Sequence, residues 1–210
     1  MSEASPDACL GAPGALLVII SGPSGVGKDT IITELKERNP DAHRHYVVTC
    51  TTRRRRPNEV DGVDYHFLTD EAFEALRQRG QLLEANEVHG NWYGTPRDQV
   101  AAALKDGRDA VLKIDVQGAR AVRRAVADAL LVFVVPPSLE ALAERLEGRS
   151  TETPDQLKRR HQDAAGELAR QVDFDHVVVN ETGQVARTAA EIERVIAAEH
   201  ARHPRRRIRI

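Results

Sequence analysis

Short apolar runs alternate with amphipathic stretches along most of the chain, and this alternation predicts the core of the fold. The predicted apolar strands lie at 16–20, 110–115, 130–135 and 176–179. Each is followed by a helical pattern; after the first, Ile31, Ile32 and Leu35 recur at helical spacing and predict a helix over 28–38. Strands that alternate with helices favour a mostly parallel sheet covered on both faces. The pattern therefore predicts an α/β fold with three layers.

Residues 50–97 interrupt this alternation and predict a small inserted lobe. A strand at 46–49 leads into the segment, which holds short strand-like pieces and a helix near 70–79 capped by Thr69. Thr95 and Pro96 are interpreted as the N-cap and first residue of the next helix. Further on, the polar stretch at 148–154 before a basic helix predicts a mobile flap.

These transitions divide the chain into predicted regions. The core is expected at 15–49, 98–147 and 163–200, with the lobe at 50–97 and a lid at 148–162. Residues 1–14 are interpreted as a disordered leader, and the basic residues at 201–210 as a frayed tail.

Composition narrows the functional classes. The 210 residues carry 30 Lys and Arg against 32 Asp and Glu, for a net charge of −2, which does not suggest a general nucleic-acid binder. Two cysteines give no disulfide framework, and no signal peptide or membrane-spanning run is apparent. We expect a cytoplasmic protein that binds neither nucleic acid nor membrane; the oligomeric state is left open.

A glycine-rich turn directly after the first strand carries the clearest chemical signal. It comprises Gly22, Pro23, Ser24, Gly25, Val26, Gly27, Lys28, Asp29 and Thr30. Backbone N–H groups in such a turn form a concavity for phosphate, the helix N-terminus adds positive charge, and Lys28 can reach the outer phosphates. Asp29 stands where a hydroxyl that helps to hold Mg²⁺ is expected.

A second cluster of charge begins about 25 residues further on. The four arginines from Arg53 to Arg56 could form a solvated charge run, but hydroxyls, Glu59 and Tyr65 flank them. Arg53 and Arg56 could form a fork around one phosphate, which suits guanidinium geometry. A second phosphate held near the first is what phosphoryl transfer between two nucleotides requires.

With these motifs, the chain resembles the guanylate kinases, nucleoside monophosphate kinases of the phosphate-loop (P-loop) class. The resemblance is carried by the stretches 20–28, 51–53, 59–67, 87–95, 114–119, 136–140 and 177–180, together with Arg56. It implies a P-loop three-layer fold with a GMP-binding lobe and a lid. It also implies the reaction ATP + GMP giving ADP + GDP, with Mg²⁺.

The resemblance implies roles for individual residues. The GMP phosphate is assigned to Arg53, Arg56, Tyr65 and Tyr93, and the rest of the GMP site to Thr49, Glu84, Gly94, Thr95 and Asp115. ATP is assigned to residues 22–30, with Asn180 at the adenine, and catalysis to Lys28, Arg53 and the lid-side Arg145, Arg149 and Arg160. Chemistry supports Glu84, because a carboxylate accepts from the N1–H and 2-amino group of guanine, a donor pair that adenine lacks.

Two departures from the family pattern are interpreted together. Beside Asp29, the chain has Lys113 where the family usually has an aspartate before Ile114 and Asp115. In P-loop folds these positions are neighbours, so we expect Asp29 and Lys113 to form an ion pair. Either Asp29 supplies an oxygen ligand to Mg²⁺, or phosphates and water hold the ion.

The sequence also suggests two other functions. A related P-loop kinase acting on a ribose phosphate is suggested by the Lys-Asp-Thr ending of the turn, but the guanine-reading set of Thr49, Glu84 and Thr95 argues against it. A non-catalytic guanylate-kinase-like binding module would lack an intact P-loop, whereas this chain keeps Lys28.

Overall fold

The computed structural model describes residues 10–88, 90–147 and 166–210. Its strands are β1 (Leu17–Ser21), β2 (Arg44–Tyr46), β3 (Cys50–Thr51), β4 (His66–Phe67), β5 (Leu82–Val88), β6 (Asn91–Pro96), β7 (Asp109–Lys113), β8 (Leu130–Val135) and β9 (His176–Val179). Its helices are α1 (Lys28–Arg38), α2 (Asp70–Gln78), α3 (Arg97–Lys105), α4 (Val116–Ala125), α5 (Leu139–Glu147) and α6 (Val185–Arg202), with a short 3₁₀ helix at Ala169–Asp173.

The central sheet is parallel, and its order is β2-β7-β1-β8-β9. Strand β1 lies in the middle and is buried on both sides: Leu17 and Ile19 pack with α3 and α4, whereas Val18 and Ile20 pack with α1, α5 and α6. This double burial explains why the strand reads as a continuous apolar run. The predicted three-layer α/β fold is confirmed.

A second sheet, ordered β4-β3-β6-β5, is formed from strands between Cys50 and Pro96. Cys50, Phe73 and Leu82 form its small core, with Trp92 stacked on Phe73. The sequence predicted one strand at 46–49, but the chain changes sheet there. Strand β2 ends at Tyr46 in the central sheet, and β3 begins at Cys50 in the second.

Thr95 corrects another local prediction. It lies in β6 and is fully buried, and its hydroxyl donates to Glu84 Oε1 at 2.7 Å, so it does not cap α3. Helix α3 begins at Arg97, with Pro96 at the N-cap position. The Thr-Pro pair resembled a cap in sequence, but the hydroxyl is used inside the lobe instead.

The described part of the predicted leader and the basic tail pack against each other. Gly11 N donates to Ile208 O and Gly14 N to Arg206 O, both at 2.8 Å, and Leu10 bridges Arg209. Ile208 is fully buried in the core. The tail is therefore held in place from 202 onward, contrary to the frayed end that its charge predicted. No helix among the described residues is long and apolar enough to cross a membrane.

Candidate active site

The P-loop joins β1 to α1. At two of its glycines, any residue with a side chain would be sterically disfavoured. Gly22 has φ 147°, and a Cβ there would lie 2.2 Å from Val134 O. Gly27 has φ 99°, and a Cβ there would lie 2.7 Å from Asn180 Nδ2. Positive φ strains residues that carry a side chain, so both positions combine strain with a close contact. The loop is therefore shaped by backbone approach to β8 and to Asn180.

Lys28 begins α1, and its side chain turns back toward the loop. Its Nζ donates to Gly22 O at 2.6 Å and to Pro23 O at 3.0 Å. Burial lowers the pKa of Lys28, while Glu167, Asp29 and Asp115 oppose that shift. The ammonium thus lies at the mouth of the loop among carboxylates that favour its charged form.

Glu84 is a buried carboxylate on β5, with only 7% of its surface exposed. Thr95 Oγ1 donates to its Oε1 at 2.7 Å, and Asn86 Nδ2 donates to its Oε2 at 2.5 Å. Burial raises the pKa of Glu84 to about 7, helped by the charge of Asp115 and opposed by the two hydrogen bonds. Asp115 itself caps α4 by accepting from Gly118 N at 2.8 Å. A carboxylate held in this way suits recognition of a paired N–H donor edge.

Arg53 and Arg56, here called the arginine arm, lie in the loop that follows β3 of the second sheet. Arg53 Nη2 is 2.7 Å from Glu59 Oε1, and Glu59 Oε2 accepts from Arg56 N at 2.8 Å. The Arg53 guanidinium lies 5.6 Å from the centre of the Tyr65 ring, which makes an edge contact with Tyr93 at 6.1 Å. Glu59 therefore orders both arginines that the sequence assigned to one phosphate.

Asp29 and Lys113 are in contact, as the sequence predicted. Lys113 Nζ donates to Asp29 Oδ1 and also lies 5.1 Å from the centre of the Tyr65 ring. The Asp29 side chain is 71% exposed and that of Lys113 20% exposed. Because water screens such a pair, it stabilises the fold by about 1 kcal/mol at most, well below the roughly 4 kcal/mol that two charges 4 Å apart would give at an effective dielectric of 20.

One cavity brings most of the predicted site residues together. Among its lining residues are Gly22, Ser24, Gly25, Gly27, Lys28, Asp29, Thr49, Arg53, Arg56, Tyr65, Glu84, Tyr93, Gly94, Lys113 and Asp115. Pro23, Val26, Thr30, Thr95, Asn180 and Arg145 do not line it. Arg149, Arg160 and the predicted lid lie outside the described residues. The P-loop and the buried Glu84 carboxylate therefore share one cleft between the two sheets.

Arg145 and Asn180 support the P-loop from outside this cavity. Asn180 Nδ2 donates to Val26 O at 2.8 Å, and its Oδ1 accepts from Thr188. Arg145 Nη1 donates to Val26 O at 3.2 Å, and Nη2 to Asn180 O at 2.9 Å. The described contacts connect both side chains to Val26, while the roles assigned to Asn180 at adenine and to Arg145 in catalysis stay predictions.

Sequence reasoning missed two residues that shape the site. Asn86 holds the second oxygen of Glu84, and Glu167 lines the cavity, with its Oε2 accepting from Ser24 N at 3.1 Å. The i, i+2 spacing of Glu84 and Asn86 on one strand places both on the same face and could have indicated that pair. No local pattern marks Glu167, which reaches the loop from 143 residues away in sequence.

The parallel sheet, the P-loop with its lysine and the facing lobe define a P-loop kinase of the α/β class. A profile of the guanylate kinase family matches residues 15–199. The chain is 48% identical over 187 residues to a guanylate kinase of Streptococcus agalactiae (strain NEM316), covering 89% of this chain and 88% of the relative. It is 52% identical over 166 residues to one of Mycobacterium sp. (strain MCS), covering 78% and 83%.

A solved structure agrees with this assignment. The crystal structure of guanylate kinase from Anaplasma phagocytophilum matches with a TM-score of 0.70 at 28% identity, covering 88% of this chain and 86% of that one. The chain belongs to the guanylate kinase family, the nucleoside monophosphate kinases that transfer a phosphoryl group from ATP to GMP.

Proposed function

We propose that this protein converts ATP and GMP to ADP and GDP in the cleft between the P-loop and the second sheet. The observation that carries the proposal is the buried Glu84 carboxylate, which lines the same cavity as Lys28. A guanine-selective acceptor beside a P-loop suits GMP as the phosphoryl acceptor. In the reaction, an oxygen of the GMP phosphate bonds to the γ-phosphorus while the bond to the β–γ bridging oxygen breaks.

Guanine selectivity is assigned to Glu84 and the residues around it. Its two oxygens can accept from N1–H and the 2-amino group, while Thr95 and Asn86 hold the carboxylate in place. AMP would leave this buried acceptor without its donors, which costs on the order of a few kcal/mol. Thr49, Gly94 and Asp115 line the same cavity and complete the proposed base site.

The two phosphate groups are assigned to opposite walls. Arg53, Arg56, Tyr65 and Tyr93 would bind the GMP phosphate, with Glu59 keeping the guanidinium of Arg53 oriented before substrate arrives. The P-loop N–H groups and Lys28 would bind the ATP phosphates. Positioning the two phosphates and neutralising their charge is most of what phosphoryl transfer requires. Arg149 and Arg160 stay as predicted contributors from the lid.

A bound Mg²⁺ ion fits the residues at the start of α1, beside the P-loop. Within 10–88, 90–147 and 166–210, no cluster of three or more His, Cys, Asp or Glu side chains could hold a metal by itself. Asp29 lines the cavity and is largely exposed, so its carboxylate can serve as a single protein ligand while phosphates and water supply the others. When bound, the ion neutralises charge on the β- and γ-phosphates.

A cytoplasmic location is part of the same proposal. It rests on the two cysteines, which provide no disulfide framework, and on Cys50 being a free, buried thiol.

A coupled ADP-release assay tests the function. Wild-type protein with MgATP is expected to turn over GMP, and to show little turnover with AMP or ribose 1,5-bisphosphate. Glu84→Gln should raise the KM for GMP on the order of 100-fold, because an amide presents one donor to a two-donor edge. Glu87→Gln, exposed on the same strand, is the matched control and should behave as wild type. Turnover of the ribose phosphate, or of none of the three, would refute the proposal.

A further inference from the structure

Lys113 lies at the boundary between the two halves of the cleft. It is the last residue of β7 and pairs in register with Ile20 of β1, two residues before the P-loop begins at Gly22. Its side chain is mostly buried and lines the same cavity as Lys28 and Arg53. The strand therefore delivers a third cationic side chain between the P-loop lysine and the arginine arm.

The Lys113 ammonium contacts both halves. On the ATP side it donates to Asp29, the second residue of α1, directly after Lys28. On the GMP side it lies under the Tyr65 ring, 5.1 Å from the ring centre, in the geometry of a cation–π contact. Tyr65 in turn contacts Tyr93 and is approached by Arg53. One ammonium thus connects the start of the P-loop helix to the aromatic pair beside the arginine arm.

Charge explains why one ammonium can connect both groups. Asp29 places a carboxylate beside the loop that is to receive polyphosphate, and Lys113 neutralises it. The same Nζ meets the negative face of the Tyr65 ring, so both contacts favour the charged lysine. The electrostatic surroundings agree, because Tyr65, Asp29 and Asp64 raise the pKa of Lys113 against the effect of its burial.

We propose that Lys113 is a positioning residue that couples the ATP and GMP sites. This inference rests on the proposed function, which places ATP at the P-loop and the GMP phosphate beside Tyr65. ATP phosphates in the loop hold the first turn of α1, and with it Asp29, in place. Asp29 then holds the ammonium beneath Tyr65, and the tyrosine is positioned for GMP. Coupling of this kind is reciprocal, so GMP must tighten ATP binding by the same factor.

Calorimetric titration of GMP tests this coupling, with and without a non-hydrolysable ATP analogue and Mg²⁺. For wild type, the analogue is expected to tighten GMP binding about fivefold, the most that a contact screened by water can transmit. Lys113→Met should bring this ratio close to one. Asp29→Asn breaks the other end of the contact; because Asp29 is also the proposed Mg²⁺ ligand, it is titrated at analogue and Mg²⁺ concentrations that saturate the variant, and it should also give a ratio near one, with no further loss in the double variant. Lys113→Arg should keep most of the coupling, because guanidinium can both pair with a carboxylate and stack on a ring.

The matched control is Lys36→Met. Lys36 also lies 5.1 Å from the centre of a tyrosine ring, that of Tyr46, but outside the cleft. It should keep the wild-type ratio. Three results would each overturn the inference while leaving the proposed function intact. Lys113→Met could couple the two sites as strongly as wild type does, Lys36→Met could lose as much coupling as Lys113→Met, or the wild-type protein could itself give a ratio of one. Wild-type protein that binds no GMP would overturn both. Circular dichroism identifies a misfolded Lys113→Met, in which case Asp29→Asn decides.

Discussion

The affinity for GMP is expected to depend on pH through Glu84. Burial raises the pKa of this carboxyl to about 7, and the nearby charge of Asp115 adds to the effect of burial. Hydrogen bonds from Thr95 and Asn86 act in the opposite direction without cancelling it. Guanine presents two donors, so only the ionised carboxylate can bind it fully. GMP should therefore bind the deprotonated fraction and compete with a proton for the same site.

The size of the effect follows from that pKa. With a pKa near 7, about one tenth of the unliganded protein is ionised at pH 6 and about nine tenths at pH 8. The apparent Kd for GMP should therefore fall roughly tenfold between these pH values. It should change little above pH 8, where Glu84 is already charged.

The assay is calorimetric titration of GMP at half-unit steps from pH 5.5 to 8.5, at constant ionic strength. The GMP phosphate has its own pKa near 6 and also contributes to the curve. Glu84→Gln provides the correction, because the variant meets the same phosphate without a titrating carboxyl. Dividing the Kd of Glu84→Gln by the Kd of wild type removes the contribution of the phosphate and leaves that of Glu84. This ratio should rise as the pH passes through 7.

A ratio that stays flat from pH 6 to 8 would refute this reasoning. It would mean either that Glu84 is ionised throughout the range, or that guanine is not bound by this carboxylate. The heat of binding separates the two: in buffers of different ionisation enthalpy, wild type should release more protons at pH 6 than Glu84→Gln does only if Glu84 must lose its proton to bind GMP.

Three further results are expected. The raised pKa of Glu84 favours its neutral form in the folded state, so wild type should lose stability as pH rises from about 4.5 to 7. Glu84→Gln should therefore raise the free energy of unfolding at pH 8 by up to about 3 kcal/mol, measured by urea titration. Gly27→Ala should raise the KM for ATP at least about tenfold with little change in that for GMP, because its Cβ would meet Asn180 Nδ2 in a left-handed conformation; an unchanged KM for ATP would contradict this. Glu59→Gln should raise the KM for GMP several-fold in steady-state assays, because it releases Arg53 from its ordered position.

The repeating parts of the fold could be predicted from sequence because they follow from periodicity. The continuous apolar run of β1 corresponds to burial on both faces of the parallel sheet. The helical spacing of Ile31 and Leu35 corresponds to burial of one side of α1 against one of those faces. The P-loop was readable because its glycines satisfy a local backbone requirement. The contact between Asp29 and Lys113 was readable for a different reason: two unusual residues stood at positions that the fold brings together.

Long-range uses of polar groups could not be predicted. Thr95 in its local sequence resembles a helix cap, but a carboxylate eleven residues earlier takes its hydroxyl. Asn180 and Arg145 carry groups suited to a nucleotide, yet both are bonded to Val26 O. Residues 10–14 have the composition of a loose end and are held by backbone hydrogen bonds to the tail, which composition does not reveal.

Carboxylates contact several of the cationic and N–H groups that line the cleft, and under the proposed function this arrangement has a consequence. Glu59 contacts Arg53, Asp29 contacts Lys113, and Glu167 accepts from the P-loop at Ser24. A monoanion gains little by competing with carboxylates that are already in place, whereas a nucleotide phosphate with more charge and three acceptor oxygens gains more. Under the proposed function, the carboxylates thus keep the cationic groups ordered and favour nucleotide phosphates over monoanions. Under the proposed function, Glu84 gives selectivity for the base and the paired carboxylates give selectivity for the charge of the phosphates.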